Sequence, residues 1–175
     1  MTQRTDSNGI VVGVDGSDAS RAALRWAARQ AHVLGTRVLA VHAWEPAPLH
    51  AAPYAPVAGR PTRAQQRERA AALLADSVRE VFGPRVDPAV HAVLAEGPPA
   101  RVLLRHTDGA LLLALGHSAR GREDLPAVGP VSRECLRHAA VPVVTVPAPD
   151  PDRAEPDLRI VQAPPARLPS GAGVA

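Results

Sequence analysis

Ala110-Leu111-Leu112-Leu113-Ala114-Leu115, then Gly116, a polar loop from 117 to 128, Gly129-Pro130, and finally residues 131–146: the reading of this stretch decides the fold. The first apolar run halts at Gly116. A helical pattern occupies 131–138, and a second apolar run follows, Val141-Pro142-Val143-Val144-Thr145-Val146. Strands buried on both faces of a parallel sheet read as unbroken apolar runs, and two of them joined through a helix form a βαβ unit. The loop leaving the first strand carries glycines and opens onto a helix N-terminus. In open α/β sheets such loops bind anions and nucleotides, because the unpaired N–H groups and the helix dipole both favour negative charge. The stretch therefore points to binding.

Upstream, the same alternation repeats. Residues 10–14 (Ile-Val-Val-Gly-Val) form a β-branched run, a first strand. Asp15-Gly16-Ser17-Asp18 is a turn whose Ser17 or Asp18 suits a helix N-cap. The helix that follows carries Ala23, Leu24, Ala27, Ala28, Ala31 and Leu34 on its apolar face, and Gly35 ends it. Residues 37–44 make a second strand. From 45 to 61 the chain carries Pro46, Pro48, Pro53, Pro56 and Pro61, which block regular structure and predict a flap. A second helix runs from Thr62 or Arg63 to about Phe82, with Ala70, Leu73, Leu74, Ser77, Val78 and Val81 inward and its arginines on a solvated face. Residues 86–94 are a third strand, Glu96-Gly97-Pro98-Pro99 a turn, and 100–107 a short helix. Strands alternating with helices define an α/β fold with a parallel sheet.

The ends have a different character. Residues 1–8 are polar, unlike a signal peptide, and are predicted disordered. Residues 148–175 are rich in proline and finish Ser170-Gly171-Ala172-Gly173, a disordered tail by composition. Within it only Leu158-Arg159-Ile160-Val161 has the β propensity to add to a sheet edge, and plain disorder is the simpler reading. One domain, 9–147, lies between the ends.

Composition narrows the function. Of the 175 residues 46% are hydrophobic but only 2% aromatic, so the core is predicted to be Ala, Val and Leu. All 20 basic residues are arginine, which excludes a Walker A lysine and a pyridoxal Schiff base. The net charge is +3, with arginines interspersed among acids and almost no aromatic stacking platform, so no nucleic-acid partner is expected. No apolar run reaches membrane-spanning length; with the polar start this predicts a soluble, cytoplasmic protein with no membrane partner. The seven histidines and the lone Cys135 show no metal-ligand spacing. Cys135 reads as a small buried hydrophobe, His42 as a hydrogen-bonded core or rim histidine, and Trp44 as cover for the core.

Five segments in this order resemble the universal stress protein family: Ile10-Val11-Val12-Gly13-Val14-Asp15-Gly16-Ser17; Leu39-Ala40-Val41-His42-Ala43-Trp44; Glu96-Gly97-Pro98-Pro99-Ala100; the loop from Gly116; and Gly129 through Val144. The resemblance covers about 9–147. It implies an open five-stranded parallel sheet with helices on both faces, Rossmann-like and similar to the adenine nucleotide alpha-hydrolases, and a homodimer formed through the last strand. It also implies ATP, possibly with Mg, bound by a G-x2-G-x9-G-[ST] loop. In this chain Gly116 matches the first position and Gly129 the third, while Ala119 and Pro130 stand where the pattern has glycine and a hydroxyl. Val131 and Ser132 match the residues that follow. Asp15, next to Val14, matches the acid that contacts the nucleoside, and Val41 matches the strand residue lining the adenine pocket. His117, Arg120 and Arg122 supply basic groups in the same loop.

No general base is legible, so the expectation is a binding module acting in stress response rather than an enzyme, with slow ATP hydrolysis as the most turnover it would show. The alternative is a dimeric interaction protein of the same fold that binds no nucleotide and meets an unknown protein partner through its tail.

Overall fold

The computed structural model describes residues 8–46, 61–84, 89–117 and 128–148. Among the described residues nine elements alternate: β1 (Ile10–Gly13), α1 (Asp18–Leu34), β2 (Val38–Trp44), α2 (Arg63–Phe82), β3 (Val90–Glu96), α3 (Pro99–His106), β4 (Leu112–His117), α4 (Pro130–His138) and β5 (Val143–Pro147). The five strands form one sheet in the order β3-β2-β1-β4-β5, every pair parallel. Of the expected proline-rich flap (45–61) residues 47–60, and of the expected tail (148–175) residues 149–175, lie outside the described residues, as do positions 1–7.

The topology follows from the handedness of crossovers. From β1 the chain steps outward to β2 and β3, then returns across β1 to place β4 and β5 on its other side. Right-handed crossovers in opposite directions must pass over opposite faces of a sheet. Accordingly α1 and α2 cover one face, packing on Ile10, Val12, Val38, Ala40 and Ala114. On the other face, Val102 and Leu103 of α3 and Cys135 of α4 pack with Val11, Leu39, Val41, Leu113 and Leu115. Because β1 is central, Val11 is paired on both sides, with Leu39 and with Leu113. The core is aliphatic, as the composition predicts; the largest fully buried side chains are Ile10, Leu24 and Leu113.

Ser17 caps α1, its side chain accepting the Ser20 N–H, and Gly35 closes the helix. Thr62 opens α2 with a capping box completed by Gln65. The clearest departures from the sequence reading are three strand ends and one core residue. The third strand was expected over 86–94; it runs to Glu96, with Ala95 and Glu96 pairing Ala43 and Trp44, while 86–88 lie outside the described residues. β4 does not stop at Gly116: Gly116 and His117 pair with Val146 and Pro147. The last strand starts at Val143, after Pro142, rather than at 141. Leu34, expected in the core, is 56% exposed. At 17 residues α1 spans about 25 Å, longer than the strands beneath it, so its last turn overruns the sheet.

Leu113, fully buried at the centre of the α3–α4 face, sets the clearest stability test. Leu113→Ala is expected to cost about 2–5 kcal/mol, read as a lower urea midpoint with an unchanged slope.

Candidate functional site

Two strands that leave the sheet's centre in opposite directions open a crevice between their C-terminal ends, and here those strands are β1 and β4. A cleft lies at that point, with about 570 Å³ of empty space counting its solvent-open mouth. β1 and its following turn contribute Gly13, Val14 and Asp15; β2 contributes Val41, His42 and Ala43; β4 contributes Leu115 and Gly116. Pro99 and Leu103 of α3 and Val131 and Ser132 of α4 complete the wall.

The apolar part comes from strand alternation. Val41, Ala43 and Leu115 point to the α3–α4 face, where Leu103 and Val131 meet them. Gly13 leaves room there, since a Cβ on it would lie 2.7 Å from a Leu115 methyl.

The polar groups sit at the rim. Asp15 Oδ1 accepts the Ser17 N–H at 2.9 Å and the Ser17 hydroxyl at 2.6 Å. Burial pushes this carboxyl up, but the bonds from Ser17 and Ser20 together outweigh it and hold it below its ordinary value of 3.8. Ser20 is buried, and its hydroxyl donates to the Ser17 carbonyl at 2.9 Å. His42 Nδ1 lies 2.7 Å from the Val14 carbonyl, which makes it a hydrogen-bonded rim histidine as its strand position predicts.

At the far side, α4 begins with Gly129 as N-cap and Pro130 as first residue, with no side-chain cap. Proline suits that position because its missing N–H has no helical partner to lose. The Val131 and Ser132 N–H groups belong to the first turn, which an α-helix leaves without intrahelical acceptors. Gly129 has φ −61° and ψ 165°, open to any residue, and among the described residues nothing lies within 4 Å of a Cβ built on it.

Gly116 is different. A Cβ there would lie 2.3 Å from the Ala19 carbonyl carbon and 2.5 Å from the Ser20 nitrogen. Its glycine is demanded by the seating of α1's first turn on β4.

The structure thus gathers Val14, Asp15, Val41, Gly116, Val131 and Ser132 into one cleft, with Gly129 and Pro130 at the head of α4. His117 sits at the end of β4 but does not line the cleft, and its Nδ1 is buried without a hydrogen-bond partner among the described residues. Ala119, Arg120 and Arg122 lie outside the described residues. Sequence reading missed Gly13, Ser20, Ala43, Pro99, Leu103 and Leu115 as wall residues. The alternation that marks Val41 also marks Ala43 and Leu115, but Pro99 and Leu103 come in only through the crossover to the opposite face.

Elsewhere, Cys135 is buried, and burial first, then the neighbouring Glu134, push its thiol pKa up. No group of His, Cys, Asp and Glu among the described residues is placed to hold a metal, and no described helix is long and apolar enough to cross a membrane.

These features define an open α/β domain with a cleft at its switch point. Residues 8–147 match the model of the universal stress protein family, and the chain belongs to that family. A universal stress protein of Mycobacterium tuberculosis is 32% identical over 154 residues, covering 83% of this chain and 50% of that protein. The chain spans about half the length of such curated relatives. Among solved structures, the universal stress protein of Archaeoglobus fulgidus in complex with dAMP has a TM-score of 0.54 at 21% identity, covering 79% of this chain and 96% of that one. A universal stress protein in complex with cAMP has a TM-score of 0.58 at 20% identity, covering 82% and 98%. At those identities the likeness establishes the shared fold.

Two outcomes are expected. Gly116→Ala forces α1 off β4 and destabilises by about 1–3 kcal/mol, seen in chemical denaturation without any ligand. Because Asp15 titrates below 3.8 when folded, its contribution to stability is whole above 3.8 and is lost as pH falls through the lower folded value. Stability of Asp15→Asn should therefore fall short of wild type at neutral pH and converge with it in acid, as urea midpoints across pH 2–7 would register.

Proposed function

We propose that this domain binds an adenine nucleotide in the β1–β4 cleft and serves as a cytoplasmic, stress-responsive binding module without efficient turnover. The observation that carries the reading is the order of surfaces in one cleft. An apolar slot (Val41, Ala43, Leu103, Leu115) suits a purine base, Asp15 beside it offers acceptor oxygens to ribose hydroxyls, and the first turn of α4 offers N–H groups to phosphate. The dAMP and cAMP complexes of family members with this fold support the same class of ligand. Within that class we assign ATP, with Mg possible as a counter-ion, and a second copy of the chain joined along β5, the edge strand.

Gly129 adds support. The described protein atoms give no steric reason for glycine there, whereas close approach of a ligand to the backbone would.

One observation favours the second reading, a dimeric interaction protein that holds no nucleotide. Pro130 withdraws one N–H and any hydroxyl from the α4 terminus, and no arginine is among the described residues lining the cleft. The phosphate end is therefore weak unless Arg120 and Arg122 serve it.

Calorimetric titration with ATP and Mg, AMP and adenosine decides between them. Micromolar ATP binding is expected. Asp15→Ala should weaken all three ligands about tenfold, the loss of one or two hydrogen bonds to a charged acceptor. Pro130→Ser should tighten ATP and AMP while leaving adenosine unchanged. No heat up to millimolar ATP overturns the proposal.

A further inference from the structure

We propose that Arg21 is a positioning residue for the cleft, and that it ties the setting of the Asp15 turn to helix α2; the proposal rests on the reading of the cleft as a nucleotide site. Arg21 lies near the start of α1 with a side chain only 22% exposed. Its guanidinium meets three acceptors. Nη1 donates to the Gly16 carbonyl at 2.6 Å, Nη2 donates to Asp18 Oδ1 at 2.8 Å, and Nε lies 2.9 Å from Glu80 Oε2 on α2. Arginine suits this place because its planar head carries several diverging donors, where lysine has one point charge.

The Gly16 carbonyl matters because of what lies across its peptide bond. The Gly16 C=O and the Ser17 N–H belong to the same planar unit and face opposite ways. Arg21 holds the oxygen on one side, and Asp15 Oδ1 accepts the N–H on the other at 2.9 Å. Rotating that plane breaks both bonds at once, so Arg21 fixes the carboxylate without touching it.

Helix α2 grips the same turn a second way. Gly16 has φ +82°, and a Cβ on it would lie 3.1 Å from Leu73 Cγ. The turn therefore bears on α2 through Leu73 directly and through Glu80 by way of Arg21. A shift of α2 against α1 would reach Asp15 along both paths, which makes α2 the element through which ligand affinity is set.

The test is AMP titration of Arg21→Gln, Arg21→Lys and Glu80→Gln, each first checked for a cooperative unfolding transition. Arg21→Gln is expected to weaken AMP about three- to tenfold, Arg21→Lys and Glu80→Gln less. In an Asp15→Asn background Arg21→Gln should cost nothing further, because its effect runs through the carboxylate. An equal loss in both backgrounds, or no loss in either, overturns the proposal. Should the wild-type protein bind no AMP, the nucleotide reading fails, and the strut is tested alone by carbon-13 titration of the Asp15 carboxyl. Its midpoint should climb toward 3.8 in Arg21→Gln; a midpoint identical to wild type overturns the strut.

Discussion

The first turn of α1 rests on the backbone of β4 at Gly116, and much of the molecule depends on that contact. It brings a helix N-terminus down onto the strand that flanks β1 on the return side of the sheet. The contact fixes the distance between α1 and the crevice, and Ser20, buried in that turn, becomes part of the cleft wall. A side chain at 116 would lift α1, and with it the turn that carries Asp15. A glycine that reads in the sequence as a phosphate-loop residue is first a packing residue, while Gly129, thirteen positions on, shows no such demand. The two glycines thus differ: the fold itself requires the first, and no described atom requires the second.

Most of the fold was legible because the chain is locally consistent. Apolar runs mark strands buried on both faces, caps such as Ser17 and Thr62 stand at helix starts, and Gly35 stands at an end. The errors share a cause. Leu34 has the spacing of a core residue, but periodicity cannot reveal that a helix outruns its sheet. Gly116 looked like a strand end because glycine usually interrupts strands; the reason for it lies in α1, almost a hundred residues away. The cleft was half legible. Asp15, Val41 and the α4 start follow from position at strand and helix ends, whereas Pro99 and Leu103 enter through topology, which no local pattern encodes.

The rim chemistry is set by bonds rather than by net charge. Asp15 remains ionised through ordinary pH because Ser17 satisfies it, and the same serine caps α1. The residue that starts the helix and the residue we propose as the ribose acceptor are therefore one hydrogen-bonded unit. The exposed arginines of α2 play a different part: Arg79 pairs with Asp76, and Arg63 with Glu96 at the end of β3. Pairs this exposed add little to stability.

The strand order also dictates a sequence of events when the chain is made. Ile10 of β1 pairs with Val38 on one side but with Leu112 on the other. As the polypeptide leaves the ribosome, β1, β2 and β3 with α1 and α2 can assemble early, yet one flank of the central strand stays without its neighbour until α3 and β4, which ends at His117, have followed β3. Until then Val11 lacks Leu113 beside it, and α1's first turn lacks the strand it will rest on. The half-built sheet presents an open, β-branched edge, the kind of surface on which nascent chains aggregate. The cleft cannot exist before β4 arrives, so the last long-range pairing to form in the sheet's centre is also the one that creates the site.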